Sequence, residues 1–152
     1  MTGLFPALNV YARVLFAFSF AFLVPLAWAL GEDLDDSMQI WGGAFCLAAG
    51  SAAGVWLFTR RYQRELMPRD GFLLVNMVWL MLPAYSAVPL MFTVPDISWS
   101  QAYFESMSAL TATGSTALSG LDKLPVSVNV WRCFLQLIGG LGIMLLVVAV
   151  LP

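Results

Sequence analysis

Histidine is absent from this 152-residue chain, and cysteine occurs only at Cys46 and Cys133. Without histidine there is no Ser-His triad, no Cys-His nucleophile pair and no histidine-based metal site. Neither cysteine has a CxxC partner, and both lie in or beside apolar runs, where a free thiol behaves as a small hydrophobe. Charge is scarce as well: 11% of residues are Asp, Glu, Lys or Arg, the formal net charge is -2, and there is no basic arm to hold nucleic acid. Enzymatic chemistry, a bound cofactor and a nucleic-acid partner are therefore not expected.

Hydrocarbon fills the space instead. With 61% hydrophobic residues the chain falls outside the range of soluble domains. A transmembrane helix needs about 20 mostly apolar residues, and Val14 to Leu30, Ile40 to Phe58, Phe72 to Phe92 and Val126 to Leu151 approach that length. The expected fold is an all-α membrane protein with four transmembrane helices. Ala27-Trp28-Ala29 also resembles a small-residue cleavage site, so a signal peptide competes with a first span in which Trp28 is an interfacial anchor.

The charges set an orientation. Glu32, Asp33, Asp35 and Asp36 make the loop after the first segment acidic, whereas Arg60, Arg61, Arg64 and Arg69 crowd the next one. By the positive-inside rule the arginines are cytoplasmic, which puts the N-terminus inside and runs the third segment outward to Thr93. Lipid-headgroup contact is the plain role for these arginines, and docking of a cytoplasmic subunit is the alternative. Pro68 and Asp70 mark the start of the third helix.

Between Thr93 and Pro125 the chain should be outside, yet Ala102 to Thr113 is too apolar for a solvated loop and too short to span. Ser98 or Ser100 can cap a helix from Trp99 to Leu110. At ~1.5 Å per residue such a helix reaches about halfway through the hydrocarbon, which reads as a re-entrant pore helix. A Thr/Gly/Ser cluster follows, and Ser119, Gly120, Asp122 and Lys123 carry the chain back out. The expected organisation is a two-helix N-terminal pair over residues 1–66, then one span, pore helix, filter loop and span over 67–152.

Irregular backbone at membrane depth is tolerated only where protein buries it or water lines it. A dehydrated monovalent cation needs oxygen ligands, and backbone carbonyls supply them without a fixed charge. Gly114 allows backbone angles that residues with a Cβ avoid. Thr113, Ser115 and Thr116 add hydroxyls, and Ala112 offers its carbonyl. The plain alternative is a Thr/Gly/Ser turn joining two helices. Glu105, a costly carboxylate at membrane depth, either braces this turn or faces a vestibule. Arg132 either snorkels or pairs with Glu105 or Asp122. Gly139, Gly140 and Gly142 suit close helix packing.

Phe104-Glu105-Ser106, Ser108, Thr111, Thr113 to Thr116, Gly120-Leu121-Asp122, Leu124-Pro125, Trp131-Arg132, Gln136, Gly139 to Ile143 and Ala149 to Pro152 closely resemble the first pore repeat of the Trk-type potassium uptake family (TrkH/TrkG). Arg64 to Leu66 and Arg69 to Leu73 resemble the start of that repeat, and the first two spans resemble the family's N-terminal pair. The resemblance implies a bacterial inner-membrane protein, both termini cytoplasmic, in which four such repeats surround one potassium pathway. It assigns the filter to Ala112, Thr113, Gly114, Ser115 and Thr116, potassium to Thr113 and Gly114, and filter support to Thr111, Glu105 and Arg132. Ala112 departs from the family, where threonine is usual. The implied partners are membrane lipid, a cytoplasmic nucleotide-binding regulatory subunit, and further pore repeats from self-assembly or another chain, since one repeat cannot enclose a pore. A truncated, non-conducting fragment with only a folding or assembly role is the alternative.

Overall fold

The structure, a computed structural model, describes residues 4–31, 35–61 and 67–150, with side chains for 4–31, 36–61 and 67–144. Glu32, Asp33 and Arg64 of the charge asymmetry, and Leu151 and Pro152, lie outside the described residues. Every α-helix and 3-10 turn aside, the described residues contain no regular element. The helices are α1 (Leu4–Ser19), α2 (Leu23–Gly31), α3 (Asp35–Thr59), α4 (Pro68–Thr93), α5 (Trp99–Leu110) and α6 (Val126–Val150). Among the described residues four stretches are long and apolar enough to cross a membrane: Leu4–Gly31, Asp36–Thr59, Pro68–Thr93 and Val126–Met144. The chain is an all-α membrane protein.

The first span begins ten residues or so before the expected Val14. Pro6 fits the first turn of α1, where no N–H is needed, and Asn9, buried, donates from Nδ2 to Thr59 Oγ1 at 3.2 Å. A polar residue that finds its partner inside the bundle does not end a span. The α1 and α2 segments are joined through a 3-10 turn at Phe20–Phe22, just ahead of Pro25, which cannot supply the N–H that an unbroken α-helix requires. The α3 helix likewise starts at Asp35 rather than Ile40, and Asp36 in its first turn is of the charge that a helix N-terminus favours.

Lipid tails are as apolar as leucine, so close packing rather than water exclusion must join these helices. On α3 the residues at four-residue spacing, Ala44, Ala48 and Ala52, are buried, and α3 packs along α1. At the centre, Trp131 of α6 stacks on Phe22 at 4.6 Å and meets Trp41 at 5.5 Å and Phe18 at 6.2 Å between ring centroids. Its indole Nε1 donates to the Ser86 carbonyl of α4 at 3.3 Å. One tryptophan thus ties α1, the 3-10 turn, α3, α4 and α6, and each such aromatic pair adds about 0.5–1.5 kcal/mol beyond burial. The first span is therefore built into the core. Phe58, Phe72 and Phe92 are 84%, 74% and 71% exposed, a surface suited to lipid rather than water.

Two prolines, Pro83 and Pro89, lie inside α4. Serine and threonine hydroxyls bond the backbone around them, Ser86 Oγ to the Leu82 carbonyl at 2.8 Å and Thr93 Oγ1 to the Pro89 carbonyl at 2.9 Å. The short α5 packs between α4 and α6, and Tyr103 donates its hydroxyl to the Leu80 carbonyl at 3.1 Å. Its 12 residues extend ~18 Å, against a hydrocarbon core of about 30 Å. It cannot cross alone.

Candidate functional site

The α5 helix starts where its capping chemistry dictates. Ser98 Oγ accepts from the Gln101 N–H at 3.3 Å, and Gln101 Oε1 accepts from the Ser98 N–H at 2.9 Å, a capping box that chooses Ser98 over Ser100. At the other end the Ala112 N–H donates to the Ala109 carbonyl at 3.0 Å and the Thr113 N–H to the Ser108 carbonyl at 2.9 Å. This is the Schellman pattern, with Ala112 in the left-handed position that glycine ordinarily takes, at φ 54°. Gly114 follows with φ 76°. A Cβ added there would meet only Gln136 Nε2, at 4.0 Å, so backbone angle rather than space demands glycine at this position.

Hydroxyls brace the arriving leg of the loop. Thr111 Oγ1 donates to the Met107 carbonyl at 2.9 Å and lies 2.8 Å from Thr113 Oγ1. The departing leg is held by a carboxylate. Glu105, 1% exposed, accepts at Oε2 from Thr116 Oγ1 at 3.1 Å and from the Ala117 N–H at 3.0 Å. Its other oxygen receives Arg132 of α6, Nε at 2.6 Å and the terminal nitrogen at 2.5 Å. Both carboxylate oxygens are thereby engaged, which is what makes a buried charge tolerable. Arg132 is paired with Glu105, while Asp122 makes no ion pair with any described residue.

Residues Ala112 to Ala117 are all exposed, and no charged side chain occurs between Glu105 and Asp122. The carbonyls of Ala112, Thr113, Gly114 and Thr116 accept no hydrogen bond from any described residue. Ser115 differs: its carbonyl accepts from Ser108 Oγ at 2.7 Å. Chemically this is a fixed loop presenting neutral oxygens, able to replace part of a cation's hydration.

Two features escaped the sequence. Ser108 entered only as one of the residues that carry the family resemblance, with no role of its own, and its tie to Ser115 depends on how the loop folds back. Of the three glycines in α6, only Gly139 is a close-packing site. A Cβ there would collide with the Leu110 carbonyl oxygen and lie 2.6 Å from its carbon, whereas Gly140 and Gly142 have nothing within 4 Å among the described residues. The packing role expected for all three holds for one.

A helical membrane protein with a half-length helix feeding a glycine-containing, oxygen-lined loop is the class that fold and site define. The family model described as TrkH, cation transport protein, matches residues 37–152, and the chain belongs to that family. It is 38% identical over 150 residues to the Trk system potassium uptake protein TrkH of Vibrio parahaemolyticus, covering 95% of this chain and 30% of that protein. It is 45% identical over 119 residues to TrkH of Salmonella typhimurium, covering 78% of this chain and 25% of that one. It is also 32% identical over 136 residues to TrkG of Escherichia coli, covering 89% and 28%. The crystal structure of the potassium transporter TrkH from Vibrio parahaemolyticus superposes with a TM-score of 0.88, over 97% of this chain and 32% of that one. The chain thus spans under a third of the length of these relatives.

Proposed function

We propose that the chain supplies one quarter of a backbone-carbonyl selectivity filter for potassium transport across the bacterial inner membrane. Ala112 to Thr116 form the ion-binding segment, potassium lies at Thr113 and Gly114, and Thr111, Glu105 and Arg132 support the loop. The observation that carries this reading is the combination of unengaged, exposed carbonyls with a loop anchored at both legs. The names of the relatives, potassium uptake proteins, support the choice of ion. Ser115, whose carbonyl is shared with Ser108, is the weakest ligand of the five. In this reading residues 1–66 are a supporting helix pair and 67–152 the pore repeat, with α5 re-entrant. The arginine-rich loop and both termini are cytoplasmic, and a nucleotide-binding regulatory subunit docks on that side. The remaining three quarters come from other copies or from another chain. The membrane potential then drives uptake with about 2.3 kcal/mol per charge per 100 mV.

The test is Gly114→Ser in a potassium-uptake-deficient bacterium. A residue with a Cβ strains the left-handed backbone, and the preference for potassium over sodium should fall by about tenfold or more, the factor given by a little over 1 kcal/mol of lost coordination. An unchanged preference overturns the filter assignment. Growth rescue by this chain alone supports self-assembly, rescue only beside a chain carrying the other repeats supports complementation, and rescue in neither case favours the fragment with an assembly role.

A further inference from the structure

We propose that the groove between α1 and α3 seats one anionic phospholipid, an acyl chain lying in an apolar trough and the phosphate meeting Arg13. The groove, about 330 Å³, is lined by Ala12, Arg13 and Phe16 of α1 and by Ala52, Ala53 and Trp56 of α3. That is at the low end of the roughly 300–1,000 Å³ of small-molecule sites, room for a chain segment rather than a whole lipid. The alanines leave the trough open, and Phe16 and Trp56, 48% and 40% exposed, form its rims. Trp56 is the residue type that settles at the headgroup boundary.

Charge decides the headgroup. Arg13 is exposed and makes no hydrogen bond or ion pair with any described residue. The bond from Asn9 to Thr59 sets the level of α1 against α3. Arg13 therefore lies one helical turn deeper than Thr59, beside Trp56. A guanidinium on the flank of a span must pair or reach the interface. Its planar fork fits two oxygens of a phosphodiester. Arg60 and Arg61, exposed, directly follow Thr59 on the same membrane surface and add potential of the same sign. A choline headgroup would bring its own cation against these arginines. A free phosphate ion would leave the trough unfilled. An anionic glycerophospholipid satisfies both the trough and the charge. The site is independent of the filter reading, since it uses neither α5 nor its loop.

The experiment reconstitutes the full chain in bilayers of equimolar phosphatidylglycerol and phosphatidylcholine with identical acyl chains. Mild detergent extraction follows, and native mass spectrometry counts the lipid retained per chain. The expected result is one phosphatidylglycerol retained with about tenfold preference, reduced to about twofold or less in Arg13→Gln, the scale of one to two arginine contacts with an anionic lipid. Ala53→Trp, which fills the trough from an exposed position, should abolish retention of either lipid. Phe16→Ala, which removes one half-exposed rim together with its edge contact to Phe20, provides the same test should Ala53→Trp fail to fold. Equal retention of the two lipids by the unaltered chain overturns the proposal. So does retention insensitive to Ala53→Trp and Phe16→Ala, which would reduce Arg13 to a surface charge, and so does displacement by inorganic phosphate alone.

Discussion

The two legs of the loop after α5 are held by opposite strategies. On the arriving leg, Thr111 to Gly114 bond back to the helix that delivers them, through the carbonyls of Met107, Ser108 and Ala109. On the departing leg, Thr116 and Ala117 bond the Glu105 carboxylate, which is in turn held by Arg132 on α6. Local backbone bonds form with the helix itself and need no tertiary partner. A buried carboxylate needs one, because without Arg132 its charge would be uncompensated. The arriving leg is thus a property of α5, and the departing leg is a property of the α5–α6 pair. A loop of neutral oxygens stays put only if both succeed.

The largest way to break this contrast is Glu105→Ala. It leaves the Arg132 guanidinium, 13% exposed, without its anion and strips Thr116 and the Ala117 N–H of their acceptor. Breaking a buried pair from one side costs about 3–5 kcal/mol, towards the low end here because water reaches part of Arg132. Denaturant unfolding in detergent should register that loss. Amide exchange should quicken at Ala117 far more than at Thr113. Equal quickening at both would show that the two legs are one unit.

Gly139→Ala attacks the junction from the α6 side. Its methyl group would overlap the Leu110 carbonyl, which is backbone and cannot rotate away, so α6 must shift. Overpacking of this kind costs about 1–3 kcal/mol. The shift should weaken the Arg132 to Glu105 pair and so loosen the departing leg, while Gly140→Ala, with nothing within 4 Å of the added carbon, serves as the neutral control. A Gly139→Ala protein as stable as Gly140→Ala would remove the close approach from the account.

The sequence and the structure agree best where chemistry is local. The α5 bounds followed from a serine cap, Ser98 or Ser100, and a short apolar run, and Trp99–Leu110 is what formed; the Gln101 half of the capping box became visible only in the structure. The four spans followed from length alone. The start of the first did not, because the expected span begins after Arg13, which lies on the surface of the bundle, and nothing in the sequence shows that Asn9 finds a partner across it. Glu105 was legible as a carboxylate in need of a partner, but settling Arg132 on Glu105 rather than Asp122 required knowing how α6 lies against α5. The aromatic cluster around Trp131, the bond from Ser108 to Ser115 and the singular role of Gly139 are all products of tertiary approach. No spacing rule in one chain encodes them.

The finest test concerns the arriving leg alone. Ala112 holds φ 54° in a Schellman cap, where a Cβ costs roughly 1–2 kcal/mol in the left-handed region. Glycine would relieve that strain, offset by about 0.4–1 kcal/mol of extra freedom in the unfolded chain. Ala112→Gly should therefore stabilise the protein by about 0.5–1 kcal/mol, with exchange at Thr113 slowed and exchange at Ala117 unchanged. The sign is the useful part. Destabilisation would mean that Ala112 does not keep its left-handed angle. Slowing at Ala117 as well would mean that the arriving leg, through Ser108 and Ser115, transmits its order to the departing one.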